Sequence, residues 1–282
     1  MKTSFFYSLV ITVFVCAFTT SGKADSPALP RDPEVPWEGD PDIKTMKDER
    51  LKQIWEDVVK EYRRVNPFAS PAFSMWREPL PKDAETQEYL ITSLNKTLHA
   101  EQIDWNSVYT MVLLMLGGME ADPRIPELAR YIYQLPRPMK MSAAHAGSYT
   151  QMYRVLQLQQ SVEAAAVLYD AVDKTFWGDD PYHDRPKIST NEAILRKREI
   201  ALSILGEMPP SISIPFLEKL AKEYPYTPQE NEKHVIPESE FEEWIKQNPD
   251  GSIPKNIRII LKRVYEKRDK QNNALSDSQK KE

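Results

Sequence analysis

The chain has 282 residues, 41% of them hydrophobic and 28% charged, enough for one large domain or two small ones and too apolar for a disordered polymer. Its formal charge is −5, and −7 once Lys2 and Lys23 are removed with residues 1–24, which argues against nucleic acid as a partner. Eight Gly and 23 Pro favour helices separated by stiff turns over a glycine-rich β-protein.

Lys2 precedes an apolar run from Phe5 to Phe18, and Gly22-Lys23-Ala24 offers a small-x-small cleavage site. Residues 1–24 therefore read as an export signal cleaved near Ala24, placing the chain in a periplasmic or extracellular compartment. The rival reading is an uncleaved membrane anchor, since the run approaches the length that spans a bilayer. Cys16 is the only cysteine and lies inside this segment, so the mature chain has neither disulfides nor Cys-bound metal. Asn95-Lys96-Thr97 is a formal N-glycosylation sequon.

Residues 25–44 hold five prolines and six acidic residues and read as a linker. A first helix is expected over residues 45–65, where Leu51, Ile54, Trp55, Val58, Val59, Tyr62 and Val65 recur at helical steps. Asn66-Pro67 ends it. Residues 66–83 place Phe68, Phe73, Met75 and Trp76 among prolines, suiting a loop packed over a core end, or a binding lip. A second helix is expected from Ala84 to His99 with Asp83 as N-cap, and a third from Asp104 to Met119. A fourth, with Pro126 in its first turn, runs to Leu135.

Residues 141–173 predict two helices meeting near Gln159–Ser161. Residues 174–189 break the periodicity. Helices resume over 190–208 and 213–224, a short one is expected at 241–246, and a last one over 254–270. The helical domain thus spans residues 45–270, and the polar residues 271–282 read as a disordered tail.

The chain repeats itself. At an offset of 89 residues, Leu113, Leu116, Gly117, Met119, Ile125, Pro126 and Leu128 match Leu202, Leu205, Gly206, Met208, Ile214, Pro215 and Leu217. Ile-Pro recurs at Ile253-Pro254, and Val162 stands between as a weaker match. Steps of 37, 52 and 39 residues then give four helix pairs with an excess of 15 residues, about the length of the loop at 174–189. Ala201-Leu202-x-x-Leu205-Gly206-x-Met208, a short turn and Ile214-Pro215-x-Leu217-x-x-Leu220 resemble HEAT-like repeats. That resemblance implies an all-α fold, an α-solenoid of stacked antiparallel helix pairs. An irregular helical bundle is the runner-up, because the second and fourth units depart from the pattern. Gly117 and Gly206, expected inside helices, then imply close helix–helix approach.

Signatures of common catalysis are missing: there is no G-x-S-x-G, H-E-x-x-H, P-loop or dinucleotide glycine fingerprint. His145 near Ser148 has no third member to complete a triad and reads as a helix start with a capping role. No cofactor or metal is expected. The candidate binding site is the insertion, where Asp179, Asp180, His183 and Asp184 stand with Trp177, Tyr182 and Arg185. Carboxylates and an imidazole can meet a cation, and the two aromatics can stack on a sugar. The same residue types also make an ordinary solvated turn, and Trp177 can instead cover a helix end. Lys255, Arg258, Lys262, Arg263, Lys267, Arg268 and Lys270 make the last helix basic, suiting a polar end cap or weak contact with a membrane surface. The functional expectation is an exported, non-catalytic scaffold that binds a protein or polysaccharide partner. The alternative is a secreted enzyme or binding protein acting on glycans or cell-wall material.

Overall fold

The computed structural model describes residues 40–65, 82–135, 143–177, 190–226, 248 and 250–279, all within one compact unit, residues 36–282. Among the described residues there are nine α-helices and no strand. They are α1 (Glu49–Val65), α2 (Ala84–Leu98), α3 (Trp105–Leu116), α4 (Arg124–Gln134), α5 (Ala143–Gln159), α6 (Val162–Asp170), α7 (Thr190–Glu207), α8 (Pro210–Glu223) and α9 (Ile253–Gln279). Short 3₁₀ turns cover Ile43–Thr45 and Lys174–Trp177.

Local chemistry explains most boundaries. Asp83 caps α2 by accepting from the Thr86 amide at 2.7 Å, and these amides hold its carboxyl below the usual range. Asp104 caps α3 through the Asn106 and Ser107 amides, and Ser161 caps α6 through Ala164. Between α5 and α6 the chain reverses at Gln160, whose φ is +46°. The end of the stretch read as a linker is docked: Asn106 donates to the Asp42 carbonyl at 2.9 Å and to Thr45 Oγ1 at 2.7 Å.

Each helix pair in substantial contact is consecutive or next-but-one among the described helices. The closest association is between α3 and α5. Here Gly147 of α5 faces Tyr109 of α3, and a Cβ on Gly147 would lie 2.5 Å from the Tyr109 ring. From Ser107 to Leu116 every residue of α3 is buried, as expected for a helix apolar on all sides. One continuous apolar core runs from Met46 to Val264.

The burial pattern repeats along the chain. Met152, Tyr153, Val155, Leu156 and Gln159 of α5 correspond to Ala201, Leu202, Ile204, Leu205 and Met208, in and just after α7, all buried and 49 positions apart. Ala164, Leu168, Ala171 and Val172, in and just after α6, correspond at the same spacing to Ser213, Leu217, Leu220 and Ala221 of α8. Between α4 and α6 the spacing is 39: Ile125, Leu128, Ala129 and Ile132 match Ala164, Val167, Leu168 and Ala171.

These registers correct the spacing inferred from the Ile-Pro pairs. Val162 is 58% exposed, and Ala164 takes the position of Ile125. Ile214 is half-buried and Pro215 exposed, so fully buried Ser213 is the equivalent in α8. The second helices of the first and third pairs are thus 88 residues apart rather than 89. The extra length between the second and third pairs is 10 residues, not 15. The burial of Ile125, Ala164 and Ser213 fixes this register, whatever the size of the side chain that fills the position.

Other differences have local causes. Helix α8 starts at Pro210 rather than Ser213, because Pro209 is its N-cap and Pro210 needs no amide partner. Gly117 lies just beyond α3 as its C-cap, and the nearest group to it outside that helix is Lys82 Nζ, with the Tyr62 hydroxyl of α1 farther out. Gly206 does lie in α7, against Ile260 of α9. Helix α9 continues to Gln279 through residues expected to form a disordered tail, since no Gly or Pro follows Pro254. The short helix expected at 241–246 and the loop carrying Phe68, Phe73, Met75 and Trp76 lie outside the described residues.

Candidate functional site

Of the seven residues proposed from the sequence as a binding loop, Trp177 is described. Asp179, Asp180, Tyr182, His183, Asp184 and Arg185 lie outside the described residues. Trp177 is 5% exposed, and its indole N–H donates to the Ala171 carbonyl at 2.9 Å, just beyond α6. Its ring packs at 5.4 Å from Tyr133 of α4, 6.4 Å from Tyr153 of α5 and 5.1 Å from Phe176. Lys197 of α7 sits 5.1 Å over it. This ring therefore closes the end of α6, and its flat face is taken up by protein.

The cluster around Trp177 extends further inward. Tyr133 also lies 4.9 Å from Tyr153 and 6.0 Å from Tyr149, and Tyr149 lies 6.1 Å from Trp105. Four elements contribute these rings, and with Lys197 of α7 they anchor the start of the insertion to α4, α5 and α7. Tyr133, Tyr149, Tyr153 and Trp177 are all at least 95% buried, which suits adhesion rather than ligand binding.

A charged cluster escaped the sequence reading. Arg198 of α7 is 1% exposed. Its Nε donates to the Val172 carbonyl at 2.6 Å, its Nη2 to Asp250 Oδ1 at 2.9 Å, and its guanidinium lies 5.7 Å from the Tyr224 ring. It thus joins the end of α6, the turn before α9 and the end of α8. The adjacent Glu199 accepts a hydrogen bond from Ser252 Oγ. Burial pushes the Glu199 carboxyl up, opposed by Ser252, Arg196 and Arg198. The one available sequence signal is a charged pair facing the inner side of an otherwise apolar helix period.

Neighbouring second helices are clamped at the surface. Arg124 of α4 grips Glu88 of α2 through two bonds of 2.9 and 2.7 Å. Arg130 of α4 pairs with Asp170 of α6. The Tyr169 hydroxyl of α6 donates to Glu223 of α8 at 2.6 Å, and that of Tyr265 in α9 donates to Glu218 of α8. These carboxylates therefore act as ties between helices. Ser148, considered with His145 as a nucleophile or cap, is neither a cap nor exposed: its hydroxyl donates back to the Ala144 carbonyl at 2.8 Å.

One edge of the unit differs chemically. The α3–α4 and α5–α6 turns are tied by the Asp122 amide, which donates to Gln159 Oε1 at 2.8 Å. The ends of α5 and α7 are tied by Arg154 and Gln157, both 2.9 Å from Glu207 Oε2. On the middle turn Leu158 and Val162 are 43% and 58% exposed. Asn95 is exposed in the last turn of α2. Among the described residues no cluster of three metal-ligating side chains occurs, and no helix is long and apolar enough to cross a membrane.

No protein-family model, curated protein or solved structure matches this chain.

Proposed function

We propose that the chain is an exported, non-catalytic scaffold, a short HEAT-like α-solenoid that presents helix faces and turns to a protein partner. The observation that carries this reading is the recurrence of one burial pattern in α5–α6 and α7–α8 at a constant spacing of 49, and at 39 from α4 to α6. A helix pair cannot bury its apolar face alone, so repeated pairs complete one another's core by stacking. The substantial contacts among the described helices, each between consecutive or next-but-one neighbours, support this arrangement. Helix α9, apolar toward α7 and α8 and basic outward, serves as the polar end cap that a stack requires.

The emphasis on scaffolding follows from where the polar chemistry is used. Arg198, Glu199, Arg130, Asp170, Glu218 and Glu223 bind helix to helix. The export component rests on Lys2, the apolar run and Gly22-Lys23-Ala24. A mature chain without cysteine also has no thiol to misoxidise outside the cytosol.

The test is to express the full chain with a C-terminal tag in an export-competent host. N-terminal sequencing of the exported form is expected to begin at Asp25, and cross-linking in that compartment to join the chain to a protein at fixed stoichiometry. Retention of residues 1–24 on a cytosolic product removes the export component. Release of sugar from peptidoglycan or soluble glycans by the purified chain removes the scaffold reading in favour of an enzyme.

A further inference from the structure

We infer that the edge formed by the α3–α4 and α5–α6 turns is a docking edge for a basic, apolar segment of a partner protein; this rests on the scaffold reading above. Turns of soluble helical proteins normally expose polar residues, because their backbone and tips face water. Here the middle turn exposes Leu158 and Val162 on its two sides, and Pro123 is exposed at the adjoining turn. Apolar groups held in water at the tip of a hairpin gain free energy when a partner covers them.

The edge is also held in shape before any partner arrives. Gln160 takes a left-handed conformation, and Ser161 caps α6 at 3.1 Å. The neighbouring turn is fixed by Gln87, which accepts from the Glu120 amide at 3.0 Å, and by Gln159, which accepts from Asp122. Little loop entropy remains to be lost on binding.

Charge selects the occupant. Glu120 and Glu163 are exposed on these two turns, the one exposed arginine there, Arg124, is paired with Glu88 and Asp122, and the chain as a whole is at −5. A lysine- or arginine-bearing apolar segment complements that edge and is steered toward it. A second copy of this chain meeting edge to edge would bring the same acidic charge, and an anionic lipid surface would be repelled by it. The basic face of α9 is a different surface and takes no part.

The experiment uses the mature chain and two labelled synthetic peptides. One is a 14-residue amphipathic helix of Leu and Lys, and the other has Glu at each Lys. Fluorescence anisotropy near physiological salt is expected to show binding of the Leu-Lys peptide, with the Leu-Glu peptide at least ten-fold weaker. The double variant Leu158→Lys with Val162→Lys, and separately Glu163→Lys, should each weaken the Leu-Lys peptide about ten-fold or more. All three side chains are exposed, so circular dichroism and thermal midpoint should match the parent. Equal binding of both peptides, or binding unaffected by either variant, overturns the proposal. So does self-association in sedimentation that the double variant abolishes, since the occupant would then be a second copy. None of these outcomes depends on glycan turnover, which decides the scaffold reading separately.

Discussion

Gly206 of α7 lies so close under Ile260 of α9 that a single added methyl group would enter the space of Ile260 Cγ2. In an isolated helix, Gly→Ala stabilises by up to about 1 kcal/mol. Here overpacking opposes that gain, at about 1–3 kcal/mol. Gly206→Ala is therefore expected to lower stability in urea unfolding, although it improves helix propensity. In an Ile260→Ala background the same change should become neutral or stabilising. A Gly206→Ala chain as stable as the parent in both backgrounds would show that α7 and α9 are not held at this distance.

Arg198 is expected to matter far more than Arg130, although both are paired arginines. Arg198→Ala leaves the buried Val172 carbonyl without its donor and empties a site where three elements meet. The loss should be about 2–4 kcal/mol, from an unsatisfied buried acceptor and lost packing. Arg130 and Asp170 are both more than a third exposed, so Arg130→Ala should cost less than about 1 kcal/mol. Urea midpoints of the two variants, measured side by side, test the order.

Lys82 gives a pH dependence with a defined sign. Its ammonium donates to the Gly117 carbonyl at 2.8 Å at the end of α3, and burial lowers its pKa to about 8. The unfolded chain, with an ordinary lysine, holds that proton to higher pH. Between pH 8 and 10 the unfolded state therefore binds more protons than the native one, and this group makes stability rise with pH. Below pH 8 the cost of the buried charge is fully present. Comparing parent and Lys82→Met in urea from pH 7 to 10 cancels the tyrosines common to both. The parent is expected to gain relative to the variant as pH rises; a constant difference would show that Lys82 titrates normally.

Trp177→Ala should destabilise by about 3–5 kcal/mol, as for a large aromatic removed from a packed core. Trp177→Phe should be tolerated better, losing the bond to the Ala171 carbonyl but keeping most of the ring contacts. If Trp177→Ala were as stable as the parent but lost affinity for a sugar, the residue would be a ligand platform rather than the cover of α6.

Residues 266–274 of α9 place no side chain in the core. From Glu266 to Ala274 every residue is exposed, and Val264 is the last of its residues in the core. Removing residues 271–282 is expected to change stability by less than about 0.5 kcal/mol, as for surface changes away from special features. Amides in this stretch should exchange with solvent much faster than those near Ile257 and Leu261. Slow exchange there, lost on dilution, would point to self-association through α9.

Helix existence and most boundaries were legible in the sequence because they are local properties. Asp83 and Asp104 announce helix starts by offering acceptors to free amides, Ser161 marks the α5–α6 junction, and prolines mark stops and first turns. Apolar spacing placed Leu51, Trp55, Tyr62, Leu90, Leu94 and Leu98 in the core, where they lie. The tertiary structure decided which neighbours share a position. Ala164 and Ser213, rather than Val162 and Ile214, fill the buried sites equivalent to Ile125, because which turn of a helix faces its neighbours is set by packing, which no sequence period records. It likewise enclosed the charged side chain of Arg198, 1% exposed, through partners 26 and 52 residues away. The candidate loop shows the same division. Composition marked residues 174–189 as an interruption and left Trp177 as either a binding residue or a cover for a helix end; packing decided for the cover, and showed that Leu158 and Val162 stand in water.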